Sequence, residues 1–156
     1  MKRIAEISLF TVIAMLAVSC NINDMKLFTD YYIAFDPGKS STTYVNEAAE
    51  FAGQYQIHFC TAKRDETVSV TVEAIPGDGL QEGVDYRLVT APLVKFAPGV
   101  YDKTFIVEWL PHTLDPSKDN SLTLKLTDCS DANVILGVPG PSTKDVSIKI
   151  VKQSAR

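Results

Sequence analysis

Loop carboxylates are the first residues whose type and spacing could do chemistry in this chain. Asp78, Glu82 and Asp85 share one stretch, and Asp115, Asp119, Asp128 and Asp131 fall in later ones. A hard cation such as calcium needs several oxygens converging on one point. The same stretches hold the glycines, prolines and asparagines of turns, where an Asp side chain accepts a hydrogen bond from a nearby backbone N–H. Turn carboxylates are the simpler reading, with a calcium-binding sandwich as an alternative. The two histidines offer little for catalysis. His58 alternates away from Ile57 and Phe59, His112 follows Pro111, and the chain has no Gly-x-Ser-x-Gly elbow, His-Glu-x-x-His helix or glycine-rich phosphate loop. The chain reads as non-enzymatic, with no catalytic residue, metal ligand or cofactor assigned. Among the aromatic residues, Trp109 shares parity with Phe105 and Val107 and is expected in the core. Tyr31 or Tyr32, Tyr44 and Tyr101 lie near turns, where a flat ring can stack against a sugar. Cys60 and Cys129 form a disulfide only if their Cα atoms come within about 7 Å, which spacing alone leaves open.

The elements that must position these residues are strands. Apolar residues recur at period two in short bursts: Tyr31, Ile33 and Phe35; Tyr55, Ile57 and Phe59; Val68, Val70 and Val72; Phe105, Val107 and Trp109; Leu122, Leu124 and Leu126; Val146, Ile148 and Ile150. Between them stand turn clusters such as Pro76-Gly77-Asp78-Gly79 and Ala97-Pro98-Gly99. This rhythm, with Leu93 to Phe96 as a further strand, predicts an all-β, antiparallel two-sheet sandwich of seven or eight strands over residues 31–151, with a short tail at 152–156. Residues 46–53 are expected as a loop or a bent edge strand, because Gly53 disfavours a helix there. The chain of 156 residues is 46% hydrophobic with a sequence pI near 5.1, the profile of one domain with no electrostatic footprint for nucleic acid.

The first residues have a different purpose. Lys2 and Arg3 precede an apolar run from Ile7 to Val18, and small residues then lead into Cys20. The run is shorter than the roughly 20 residues that cross a bilayer, so residues 1–19 read as a cleaved signal peptide. Leu16-Ala17-Val18-Ser19-Cys20 resembles a bacterial lipobox, which implies lipidation of Cys20 and a membrane-anchored chain with residues 20–30 as tether. Several acyl chains on one residue would make the anchor effectively permanent. The expected location is the cell envelope, most readily the outer membrane.

Within the domain, Val68-Ser69-Val70-Thr71-Val72, then Gly83-Val84-Asp85-Tyr86, then Val94-Lys95-Phe96-Ala97-Pro98-Gly99 resemble a Calx-β-type immunoglobulin-like sandwich. They also resemble the sandwich domains of Bacteroidota lipoproteins. The resemblance implies a binding or scaffold module, accessory to surface glycan or nutrient capture, with a glycan or a partner envelope protein as its ligand. A structural or adhesive, fimbrial-type subunit is the alternative. Gly83 is expected to allow a tight approach, Asp85 to cap a turn, and Tyr86 to bury its ring.

Overall fold

The computed structural model describes residues 30–36, 41–140 and 144–154. The expected signal peptide, Cys20 and all but the end of the expected tether lie outside the described residues. Ten strands form: β1 (Tyr31–Phe35), β2 (Thr42–Asn46), β3 (Phe51–Cys60), β4 (Val68–Pro76), β5 (Tyr86–Leu88), β6 (Leu93–Phe96), β7 (Asp102–Trp109), β8 (Ser121–Cys129), β9 (Val134–Leu136) and β10 (Ser147–Gln153). They make two five-stranded sheets, ordered β5-β7-β3-β1-β9 and β2-β10-β8-β4-β6. The architecture is therefore the expected all-β sandwich, with more strands than the sequence rhythm predicts.

The extra strands, β2, β5 and β9, all sit at sheet edges. Two of them depart from antiparallel pairing, since β9 runs parallel to β1 and β2 runs parallel to β10. The chain thus leaves the first sheet after β1 and joins the second as β2. This exchange leaves a gap. β1 pairs with β3 from Ile57 to Cys60, and the Asp36 N–H donates to the Gln56 carbonyl at 3.0 Å. Ahead of Gln56, the edge of β3 that faces β1 has no strand beside it among the described residues.

Period-two patterning decides the core. Ile33, Phe35, Ile57, Phe59, Phe105, Val107 and Trp109 face inward from one sheet, and Val68, Val70, Val72, Leu122, Leu124, Leu126, Ile148 and Ile150 from the other. Full burial of such a side chain is worth roughly 1.5–3 kcal/mol. Phe59 and Phe96 meet edge to face across the layers, with centroids 5.4 Å apart. Trp109 is fully buried, as its parity predicts. Residues 47–50 make a turn rather than a bent strand, and β3 begins at Phe51, so Gly53 lies in a central strand. The last strand also runs past Val151 and carries Lys152 inward in register with Ile148 and Ile150.

Candidate functional site

Three of the loop acids, Asp78, Asp115 and Asp131, are occupied by local structure. Asp78 accepts a hydrogen bond from the Asp119 N–H at 2.8 Å, and Asp115 accepts from the Ser117 N–H at 2.9 Å. Asp131 accepts from the Asn133 N–H at 2.9 Å and from Arg64 at 2.5 Å. Hydrogen bonds from the Ser117 hydroxyl and N–H hold the Asp115 carboxyl below its usual range, and the Asn133 N–H followed by Arg64 does the same for Asp131. Among the described residues no three His, Cys, Asp or Glu side chains are grouped so as to hold a metal ion.

Asp85 has a larger role than capping a turn. Its side chain is buried, and its Oδ2 accepts from the Gln81 N–H at 2.9 Å. Its Oδ1 faces Lys152 Nζ at 3.0 Å and His112 Nδ1 at 3.0 Å. Lys152, also buried, donates to the Leu110 carbonyl at 2.7 Å. Burial pushes the Asp85 carboxyl up, but the hydrogen bond from Gln81 and the Lys152 and His112 contacts outweigh it, and the net direction is down. Beside this pair Glu47 accepts from the Leu114 N–H at 3.1 Å and from the Ser154 hydroxyl. The cluster ties the turn before β5, the β7–β8 loop, the turn after β2 and the last strand into one knot. Its bonds are spent on the fold, and Glu47 and His112 border a depression of about 260 Å³.

His58 lies on the outer face of the first sheet, as expected, yet it is not a solitary surface residue. Its Nδ1 bonds Asp102 and its Nε2 lies 3.3 Å from Asp36. Partial burial lowers its pKa, and the two carboxylates more than reverse this, so the net direction is up. Cys60 and Cys129 are both free thiols. Gly83 departs from expectation in one respect. A Cβ there would meet nothing within 4 Å, so glycine is needed for its φ of +84° rather than for a close approach.

The aromatic candidates divide. Tyr31 packs against the core beneath Arg64, whose guanidinium lies 5.2 Å from its ring centre. Tyr44 is 65% exposed and borders a groove of about 390 Å³ at the gap left where β1 crosses over. Asp36, Val45, Phe51, Gly53 and Tyr55 also line it. Phe51 is 46% exposed although it shares parity with the inward residues of β3. The Trp109 indole N–H donates to the Tyr55 hydroxyl at 3.1 Å, which fixes the ring that forms one wall. Gly53 keeps the floor low, since a Cβ there would sit 2.9 Å from the Tyr55 oxygen and 3.0 Å from the Trp109 nitrogen. Phe51 escapes a sequence reading because it lies in the stretch whose alternation is obscured by the turn. Its even spacing with Gly53 and Tyr55 is the signal that marks it.

The chain is similar to the crystal structure of CBD12 from CALX1.2, with a TM-score of 0.55 and 20% identity over 76% of this chain. The fold is Calx-β-like. The chain spans 42% of the length of that structure. No family model matches the chain, and no curated protein matches it. The likeness establishes the sandwich, and leaves the ligand to be argued from the groove.

Proposed function

We propose that this chain is a lipid-anchored cell-envelope binding module, accessory to surface glycan or nutrient capture, whose ligand lies in the groove between β2 and β3. The observation that carries the reading is the pairing of exposed Tyr44 and Phe51 with a hydrogen-bonded Tyr55 around one open cleft. Aromatic faces offer apolar area at low entropy cost, and a few polar groups fix orientation, which is the usual composition of a small-ligand site. The anchor rests on Cys20 and the lipobox resemblance. Its setting in a Bacteroidota envelope rests on the resemblance of the domain.

A glycan array probed with the full chain in detergent micelles tests this. Binding to one or more glycans, weakened in Tyr44→Ala, supports the module, and silence across the array removes the glycan reading. A second reading draws on the edge of β3 ahead of Gln56, which has no strand beside it among the described residues and would accept an extended segment of a partner, as a structural subunit would. A pull-down that recovers one partner protein while the array stays silent favours that reading.

A further inference from the structure

The hydroxyl of Tyr55 gives the groove a direction, on the reading that it holds a glycan. An indole N–H can only donate, so the Tyr55 oxygen, 3.1 Å from Trp109 Nε1, is the acceptor of that bond. The tyrosine's own proton is left to be given elsewhere. Among the described residues nothing accepts it, and Tyr55 lines the groove. Burial pushes the Tyr55 hydroxyl pKa up, against the lowering from the indole bond, so the proton is retained and there to donate. Gly53 lines the same groove and keeps this pair open, since a Cβ there would sit 2.9 Å from the Tyr55 oxygen and 3.0 Å from the indole nitrogen. We infer that Tyr55 is the specificity-determining donor of the groove, reading one acceptor oxygen on the edge of a sugar ring that stacks on Tyr44 or Phe51.

The discrimination follows from the fixed sense of the donor. A free hydroxyl turns to donate or accept as its partner requires, whereas the bond from Trp109 holds the Tyr55 oxygen as acceptor and commits its proton outward. A ligand that places a C–H or N–H at that point strips the donor of water and leaves it unpaired, which is how a site built around a hydrogen bond rejects an analogue lacking the partner. A sugar hydroxyl or ring oxygen instead completes a chain from the indole N–H through Tyr55 to the ligand, in which each bond polarises the next. The protein has one tryptophan, so this relay carries a single reporter.

The test uses the full chain in non-ionic detergent with short oligosaccharides of mannan, xylan, β-glucan and galactan. The wild-type chain is expected to bind at least one of them, and binding to move the single indole N–H proton resonance downfield as its acceptor is polarised. Tyr55→Phe keeps the ring and removes the proton, and is expected to weaken that oligosaccharide by about tenfold. This variant also strands the indole N–H, so its melting midpoint should fall, and affinities are compared well below both midpoints. One monodeoxy form of the same oligosaccharide is expected to bind the wild-type chain about tenfold more weakly, yet to bind the Tyr55→Phe chain as well as the native sugar does. Binding that leaves the indole resonance in place, that Tyr55→Phe does not weaken, or whose deoxy penalties all persist in Tyr55→Phe overturns the inference and leaves the module standing. Silence on every oligosaccharide removes the glycan reading, and the donor assignment falls with it.

Discussion

At the residue scale, the largest energetic stake is the Asp85–Lys152 pair. Both side chains are buried, and each finds further partners that satisfy it, Gln81 and His112 for the carboxylate and the Leu110 carbonyl for the ammonium. Removing one partner strands a buried charge. Lys152→Met is therefore expected to destabilise the domain by about 3–5 kcal/mol in urea unfolding, while Lys152→Met with Asp85→Leu should recover much of the loss. A double variant no more stable than the single one would show that the pair is not coupled. The titrations have opposite signs. Asp85 is depressed in the folded state, so its contribution is present above the usual carboxylate pKa and fades as pH falls through its folded value. His58 is raised, so the link from Asp102 to Asp36 contributes below the usual imidazole pKa and is lost as pH rises through its folded value. His58 is 44% exposed in its side chain, so His58→Gln should cost under about 1 kcal/mol at mildly acid pH and nothing at alkaline pH. An effect that does not change with pH would remove the ionic account.

At the scale of elements, the decisive event is the crossover of the chain from β1 to β2. Among the described residues it leaves no strand beside the β1-facing edge of the first half of β3, and Phe51, Gly53 and Tyr55 line a groove there. Gly53→Ala brings a methyl group against the bonded pair of Tyr55 and Trp109. We expect a loss of about 1–3 kcal/mol from strain and, with it, weaker ligand binding through a displaced Tyr55. The tryptophan fluorescence should shift as the indole N–H loses its partner, and an unaltered spectrum with unaltered stability would refute the close packing. The seven strands with clear alternation are legible from the sequence, because each places one apolar face in the core. The other three, β2, β5 and β9, are short edge strands with a single neighbour, so their residues escape the constraint that writes a period-two pattern.

At the scale of the molecule, the chain is a sandwich in which Asp78, Asp115 and Asp131 accept hydrogen bonds from loop backbone N–H groups. A chelator is expected to leave the melting midpoint unchanged, and a fall on chelation would reveal a structural ion and revive the calcium-binding alternative. The anchor is tested on the whole chain in its membrane: labelling with a fatty-acid probe should vanish in Cys20→Ala, and persistent labelling would end the lipoprotein proposal.

By itself the sequence determined the layers, the inward set of side chains, the burial of Trp109 and Tyr86, and the expectation of a processed, lipidated leader. These follow from local patterns, which a strand or an export signal must carry wherever it is placed. Tertiary structure alone decided that Asp85, His112 and Lys152 meet, since they lie on separate elements and Lys152 falls in what reads as a tail beyond the last alternating strand. It also decided that Tyr44 borders the same groove as Phe51 and Tyr55. Which aromatics share a cleft depends on where a strand changes sheets, and a change of sheet leaves no periodic mark in the residues that make it.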